Sequence, residues 1–271
     1  MPRAAIIGDL VLDVVAGAPA RPGGAVWYCA RALSQIDPDA DVVLVCRSAP
    51  EDREALVPEL EKFGFPVRWQ PAKQTAQFSF DYEGDRRIMQ IDALANPWTA
   101  SDINDWAGEA IGDASWVIVG ALTRADFPLE TLAALTGRGH RLVLDAQGLV
   151  RRGRLGPLVC DGSIERAILE HITALKLNDE EAEELCGGID EASLRSLGIP
   201  EIVLTLGSAG AVIISGEVIT RVDAVPIDGP VDPTGAGDSF LLSYGVARQR
   251  GATAHEAGLI ASRFVSMIIA R

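Results

Sequence analysis

The sequence predicts an α/β fold in which a mostly parallel central sheet is flanked by helices and carries a small β-sheet lid. Three observations predict it: short apolar runs rich in β-branched residues recur, helix-patterned segments separate most of them, and two stretches interrupt this alternation. With 271 residues, 48% of them hydrophobic, the chain is long enough to bury the core of such a fold.

The apolar runs are predicted strands, and most segments between them are predicted helices. The strands cover 4–7, 42–45, 116–119, 142–144, 172–177 and 202–206; the helices include 53–63, 102–111, 129–135 and 179–185. Such alternation is typical of a parallel sheet buried on both faces. Close-spaced strands between 202 and 225 predict an antiparallel edge, and two helices are predicted to follow, over about 235–250 and 254–269.

Two stretches do not fit the alternation. Residues 11–20 and 74–91 are both predicted to form antiparallel strands or hairpins, and in the second stretch polar and apolar residues alternate around Glu83-Gly84-Asp85. Because both stretches leave the main sheet and return to it, we expect one α/β domain over 1–271 with a lid formed by excursions at about 11–22 and 72–92. Extra edge strands on the main sheet are the alternative.

Composition and charge exclude several classes of protein. The 24 Lys and Arg residues against 38 Asp and Glu give a net charge of −14, which would repel nucleic acid and anionic membranes. No run reaches the roughly 18 apolar residues of a membrane span. The N-terminus lacks a basic leader, and the four widely spaced cysteines are expected to be buried free thiols. A cytoplasmic protein with no nucleic-acid or membrane partner is therefore expected.

The most informative stretch is DPTGAGDSF at 232–240, which an apolar helical pattern follows directly. Small residues at a helix start leave unpaired backbone N–H groups facing outward, and the helix dipole makes that end attractive to a phosphate. Asp238 inside such a cradle can accept a proton from a hydroxyl that attacks the phosphate. The alternative is that Asp238 merely stabilises the helix N-terminus.

This stretch resembles the C-terminal motif of the ribokinase (PfkB) family of carbohydrate kinases. The resemblance implies a ribokinase-like three-layer fold and phosphoryl transfer from ATP, with Mg²⁺, to a hydroxyl group. It implies that Asp238 is the catalytic base and that Gly235, Ala236 and Gly237 form the anion hole. Asp232 is implied to be a structural or cation-linked carboxylate on the nucleotide side.

Two further segments resemble the family on the donor side. Residues 178–181, NDEE, resemble the family's N-x-x-E element, which implies that Asn178 and Glu181 belong to the water shell of Mg²⁺. An ordinary helix start is the alternative interpretation. Residues 203–210 resemble the strand and turn beside the nucleotide, which assigns Thr205, Gly207 and Gly210, together with Asn178, to donor binding. A Walker-type phosphate loop is absent from the sequence.

The N-terminal segment resembles the acceptor side of the family. Residues 8–13 resemble its opening strand, which implies that Asp13 binds acceptor hydroxyls, and Gly23-Gly24 matches its double glycine. The family pattern has Asn where this chain has Tyr28, which follows Trp27. This departure means that ribose or fructose recognition is not implied, and the aromatic pair could instead stack on a base.

The predicted lid and the middle of the chain resemble the branch of the family that contains myo-inositol kinases. Residues 75–78 and 144–151 carry this likeness, which implies that Gln77, Gln147 and Arg151 contact the acceptor. The aromatic residues Phe78 and Phe80 could equally form only the packed face of the lid.

These observations predict an ATP-dependent phosphotransferase that acts on a hydroxyl of a polyhydroxylated small molecule, such as a sugar or an inositol-like cyclitol. One alternative is a nucleoside kinase of the same family. Another is a regulator that binds nucleotide or sugar without turnover, although such a binder has little use for a carboxylate facing phosphate. The chain is expected to be a monomer or a homodimer formed through the lid.

Overall fold

The first strand shows how the core is organised. The computed structural model describes residues 3–15, 18–83, 86–227 and 235–270. In the strand Ala4–Asp9 every residue is buried. Ala4 and Ile6 pack into one hydrophobic cluster, whereas Ala5 and Ile7 pack into a second cluster on the other face of the sheet. Successive side chains of a strand point to opposite faces, so this all-apolar strand needs a helical layer on each side.

The strands, numbered in chain order, form two separate sheets. They are β1 (Ala4–Asp9), β2 (Val11–Val15), β3 (Arg21–Gly23), β4 (Val42–Ser48), β5 (Val67–Pro71), β6 (Ala76–Glu83), β7 (Arg86–Ala93), β8 (Trp116–Val119), β9 (Arg141–Asp145), β10 (Gly156–Pro157), β11 (Ala174–Asn178), β12 (Glu201–Thr205), β13 (Ala211–Ser215) and β14 (Val218–Val222). Among the described residues, nine of them form the main sheet in the order β14-β13-β12-β11-β9-β8-β1-β4-β5. Neighbouring strands are parallel except at one edge, where β13 pairs antiparallel with both β12 and β14, as the sequence predicts.

The helices cover both faces of the main sheet. They are α1 (Ala25–Ile36), α2 (Arg53–Glu61), α3 (Ala100–Asn104), α4 (Trp106–Ile111), α5 (Leu129–Gly137), α6 (Gln147–Val150), α7 (Asp179–Cys186), α8 (Glu191–Arg195), α9 (Ala236–Gln249) and α10 (Ala254–Ile269). Helices α1, α2, α9 and α10 pack on one face, and α3 to α8 pack on the other. The helix predicted over 102–111 is two short helices, because the backbone of Asp105 leaves the helical region between them.

A second, smaller sheet confirms the predicted lid strands and corrects their pairing. Its order is β10-β7-β6-β2-β3. The sequence did not predict β10, at the edge of this sheet, or β5, at the edge of the main sheet. Strands β2 and β6 run parallel to each other and not antiparallel as expected. Both follow parallel strands of the main sheet, β1 and β5, so the chain enters the small sheet twice in the same direction.

A buried arginine joins the base of the small sheet to the main sheet. The Arg47 side chain forms a bidentate pair with Asp9, at the end of β1, with N–O distances of 3.0 and 3.4 Å. It also donates to the backbone carbonyls of Asn96 and Pro97, where the chain returns from β7. The guanidinium lies 3.9 Å from the ring centroid of Trp98. Through Asp9, the two backbone carbonyls and the Trp98 ring, Arg47 thus fixes the return segment against β1.

The cysteines and the helices bear on two sequence predictions. All four cysteines are free, and Cys29 and Cys46 are buried as expected. Cys160 is exposed and Cys186 is half-buried, so the expectation of burial was wrong for these two. In the part of the chain that the structure describes, every helix is too short or too polar to cross a bilayer.

Candidate active site

The start of α9 forms the centre of the site. Gly235 caps the helix with φ of +79°, a left-handed backbone conformation that favours glycine. The helix continues for 14 residues from Ala236, and Asp238 lies in its first turn. The first backbone N–H groups of an α-helix have no partner within the helix, so those of 236–238 are available to an anion. Asp232 lies outside the described residues.

The Asp238 carboxyl is surrounded by charged groups. Burial raises its pKa to about 6, and the negative charges of Asp145 and Asp13 add to this effect. Lys176 and Arg151 act in the opposite direction. A carboxyl with a pKa near 6 is ionised at neutral pH and is a stronger base than an ordinary aspartate, as proton abstraction requires.

A buried ion pair lies directly beside this helix start. Lys176 on β11 and Asp145 on β9 face each other in the parallel register of the two strands. Their Nζ and Oδ2 atoms are 2.8 Å apart, and both side chains are buried. A Cβ atom added at Gly237 would lie 3.0 Å from Lys176 Nζ. The absence of a side chain at Gly237 therefore lets the ammonium approach the anion hole.

Sequence reasoning did not identify Lys176. Burial alone would lower its pKa, but the neighbouring carboxylates of Asp145, Glu181 and Asp238 raise it, so the side chain stays charged. Among the hydrogen bonds of the described residues, one of its three donors is used, on Asp145. The signal in the sequence was a lone lysine inside an apolar strand, which is rarely buried without a charged partner.

One cavity lies between α1, the small sheet and the start of α9. It encloses about 100 Å³. Its polar wall includes Asp13, Gln147, Arg151 and Asp238, and the small sheet contributes an apolar wall. The remaining lining residues are Val11, Gly24, Ala25, Tyr28, Phe78, Phe80, Met89, Leu122 and Gly235.

Asp13 is held tightly in this cavity. It is 3% exposed, and its Oδ2 accepts a hydrogen bond of 2.7 Å from the Tyr28 hydroxyl. A Cβ atom added at Gly23 would lie 2.3 Å from the same oxygen, so Gly23 must lack a side chain. Gly24 has φ of +89° and caps α1. The double glycine therefore positions Asp13 and begins the helix that carries Tyr28.

The other predicted acceptor contacts have different outcomes. Gln147 and Arg151 line the cavity. The Gln147 side chain donates to the carbonyl of Ala121 at 3.3 Å. Gln77 is not among the residues that line the cavity, whereas Phe78 and Phe80 on the same strand are. The acceptor contact of Gln77 stays a prediction.

A larger cavity lies on the other side of the α9 start and encloses about 580 Å³. The predicted donor residues Thr205, Gly207 and Gly210 line it, together with Ala236 and Gly237. Its remaining wall is mostly apolar, with Ala224, Val225, Pro226, Ile227, Phe240, Val265 and Ile269 among its residues. A small polar end beside an apolar slot is the usual form of a pocket for a nucleotide or similar cofactor.

Asn178 and Glu181 form the N-terminal cap of α7. The Asn178 side chain accepts from the Glu181 backbone at 2.7 Å, and the Glu181 carboxylate accepts from the Asn178 backbone at 2.9 Å. The alternative interpretation of these residues, an ordinary helix start, is thus realised. Burial and the charge of Asp145 raise the pKa of Glu181. Among the described residues, no group of three His, Cys, Asp or Glu side chains is arranged to bind a metal directly.

The second oxygen of Glu181 lies outside this cap. Burial and, after it, the charge of Asp145 disfavour the ionised carboxylate, and a cation near it would counter both effects. Magnesium commonly keeps several waters and uses few protein ligands. Asn178 and Glu181 therefore fit a role in the water shell of Mg²⁺, and not that of a complete protein ligand set.

Comparison with known proteins assigns the chain to a family. The model of the pfkB family of carbohydrate kinases matches residues 70–271. The chain belongs to the pfkB family of carbohydrate kinases. A nucleoside kinase of Methanothermobacter thermautotrophicus is 38% identical to this pfkB family member over 94 residues, which are 34% of this chain and 30% of the relative. An inositol 3-kinase of Oryza sativa subsp. japonica is 27% identical over 204 residues, which are 70% of this chain and 47% of the relative.

The sequence matches to these relatives cover only part of each protein, whereas similarity to a solved structure extends over nearly the whole chain. The matched part spans about a third to a half of the length of the curated relatives. A solved pyrophosphate-dependent kinase of the ribokinase family, complexed with a pyrophosphate analog and myo-inositol, superposes with a TM-score of 0.81. It is 22% identical, and the superposition covers 98% of this pfkB family member and 94% of that chain. This likeness confirms the ribokinase-like fold.

Proposed function

We propose that this chain transfers the γ-phosphoryl group of ATP to a hydroxyl of a small polyol, a sugar or a cyclitol. Asp238 is the general base of this reaction. The family assignment and the ribokinase-like fold support a kinase, and the residues of the two cavities support the division into acceptor and donor sides.

One observation carries the proposal. The start of α9 separates the two cavities, with Asp238 and Gly235 on the smaller one and Ala236 and Gly237 on the larger one. An acceptor hydroxyl in the first cavity and a terminal phosphate in the second would therefore meet at the anion hole. Asp238 is the carboxylate at this junction.

Each residue then has a defined task. The acceptor oxygen attacks the γ-phosphorus, the bond to the bridging oxygen breaks, and ADP leaves with that electron pair. Asp238 takes the proton of the attacking hydroxyl. The N–H groups of 236–238 and the Lys176 ammonium stabilise the charge on the phosphoryl oxygens. A local cation is needed because the net charge of the chain, −14, opposes an anionic donor.

Mg²⁺ would supply further charge neutralisation on the donor phosphates when bound. Asn178 and Glu181 would hold its waters. Asp13 holds the acceptor through a second hydroxyl, and the apolar lid residues Phe78 and Phe80 exclude water from the junction.

The larger cavity supports ATP over pyrophosphate as donor. Pyrophosphate needs only a charged cradle, whereas the apolar wall with Val225, Phe240 and Val265 continues well beyond the anion hole. Such a wall suits a purine base. This separates the proposal from the donor named for the solved pyrophosphate-dependent kinase.

A nucleoside kinase is the second candidate, and the 38% identical relative favours it. The sequence suggested that Trp27 and Tyr28 stack on a base. Trp27, however, packs against the ring of Phe63 at a centroid distance of 5.5 Å and does not line the acceptor cavity. The proposed acceptor is therefore a polyol.

The test is an ADP-release assay with Mg-ATP against inositols, pentoses, hexoses and nucleosides. Parallel reactions contain pyrophosphate in place of ATP and are followed by ³¹P NMR for a phosphomonoester, because they release no ADP. We expect ATP-dependent turnover on a polyol and a loss of about 10²–10⁴-fold in Asp238→Asn. The exposed Asp113→Asn, which removes the same charge elsewhere, is the matched control. Turnover with pyrophosphate alone would overturn the donor assignment, and near-normal kcat in Asp238→Asn would overturn the role of the base.

A further inference from the structure

Tyr28 connects the two parts of the acceptor cavity that matter most for binding. Its hydroxyl donates to Asp13 Oδ2 at 2.7 Å. Its ring lies against the start of α9, where a Cβ atom added at Gly235 would be 3.5 Å from Tyr28 Cδ1. One side chain therefore reaches from the acceptor carboxylate to the edge of the anion hole, at the position where the family pattern has Asn.

The hydrogen bond limits what Asp13 can offer an acceptor. Burial and the negative charge of Asp13 raise the pKa of the Tyr28 hydroxyl, so it remains a donor at neutral pH. Oδ2 is thus engaged by Tyr28 and is also packed on Gly23. A carboxylate with two accessible oxygens can chelate two neighbouring hydroxyls. The contacts of Oδ2 instead fix the Asp13 carboxylate in one orientation.

The ring limits the size of the acceptor. The acceptor cavity encloses about 100 Å³ against about 580 Å³ for the donor cavity. Phe78, Phe80 and Met89 form its wall on the small sheet, and the Tyr28 ring forms the opposite wall between Asp13 and Gly235. An aromatic ring fills space that an Asn side chain would leave open. Trp27 supports this wall from behind, with its ring perpendicular to that of Tyr28 at 5.1 Å.

We propose that Tyr28 is a specificity-determining residue that restricts the acceptor to a single compact polyol ring and excludes nucleosides. This inference rests on the proposed function for the identity of the acceptor cavity. It assigns the size limit to the ring and the fixed orientation of Asp13 to the hydroxyl.

Two variants of Tyr28 separate the role of its ring from the role of its hydroxyl. The affinities of the full chain for myo-inositol, ribose and inosine are measured by calorimetry. Tyr28→Asn opens the cavity, and we expect the affinity for inosine relative to the polyols to rise at least tenfold. Tyr28→Phe keeps the ring, so we expect that ratio to stay within about threefold of wild type. The matched control is Tyr244→Phe, which removes a buried hydroxyl that donates to Glu201 at 2.6 Å, away from the cavity. It is expected to change neither ratio nor affinity.

Three results would overturn the inference. The first is a wild-type chain that binds no polyol, or that binds inosine at least as well as every polyol. The second is an unchanged inosine-to-polyol affinity ratio in Tyr28→Asn, and the third is an equal change of this ratio in Tyr28→Phe and Tyr28→Asn. Circular dichroism melts identify a variant that has lost its fold; if Tyr28→Asn unfolds, Tyr28→Leu, which also removes the ring, takes its place with the same expected rise in the ratio. Because calorimetry needs no turnover, a chain that binds polyols but transfers no phosphoryl group would defeat the proposed function and leave the role of Tyr28 standing.

Discussion

The raised pKa of Asp238, at the start of α9, predicts how the free energy of unfolding changes with pH in the absence of any substrate. Asp238 ordinarily would titrate near 3.8, and here its pKa is about 6. The folded chain keeps this proton to a higher pH than the unfolded chain, so folded chains bind more protons between those values. The free energy of unfolding therefore falls as pH rises from about 4 to about 6. One pKa unit corresponds to ~1.4 kcal/mol, so ionised Asp238 destabilises the fold by about 2–3 kcal/mol at pH 7.

Asp238→Asn removes this ionised carboxylate while it keeps the shape of the side chain. We expect the variant to be inactive yet more stable than wild type by about 2 kcal/mol at pH 7, and to lose most of that advantage at pH 4. Urea denaturation at both pH values measures it. The control Asp113→Asn is exposed and is expected to stay within about 0.5 kcal/mol of wild type. A destabilised Asp238→Asn, or a gain in stability that does not depend on pH, would show that ionised Asp238 does not destabilise the fold.

Three further predictions concern the same site. Lys176→Met is expected to lower kcat by about 10²–10³-fold. Because Lys176 lowers the pKa of Asp238, the variant should also move the acid limb of the pH–rate profile to higher pH. An unmoved acid limb would contradict the interaction between Lys176 and Asp238. Gly23→Ala is expected to raise the acceptor KM with little change in the ATP KM, because its Cβ would meet Asp13. In the control Gly137→Ala the new Cβ meets no atom within 4 Å, so this variant should behave as wild type. For wild type, kcat/KM is expected to fall about tenfold per pH unit below about pH 6, and a flat profile from pH 5 to 8 would argue against Asp238 as the base.

Local patterns in the sequence were sufficient for most of the fold. The main-sheet strands, the antiparallel edge and the two C-terminal helices were predicted from continuous apolar runs and helical periodicity, and the structure confirms them. The parallel pairing of β2 with β6 was not predicted, because pairing depends on the direction in which distant segments enter a sheet. β5 and β10 were missed because they are short edge strands with little apolar pattern.

The site shows the same division between local and distant information. The glycine-rich start of α9 and the acidic cap of α7 are contiguous in the sequence, so their positions could be predicted. Lys176 and Asp145 come together only through the register of β9 and β11, which the sequence does not state. Gln77 was predicted from a short likeness, and it is not among the residues that line the cavity beside Asp238. The resemblance drew attention to Tyr28, but its bond to Asp13 required the structure.

The most direct test of phosphoryl transfer to a polyol, with Asp238 as the base, is to observe the phosphorylated product. Wild-type chain, Mg-ATP and the preferred polyol are followed by ³¹P NMR, with Asp238→Asn in a parallel sample. We expect a phosphomonoester that appears in step with ADP in the wild-type sample and is absent on the same time scale from the variant. Release of inorganic phosphate without a phosphomonoester, or equal product formation by Asp238→Asn, would contradict it.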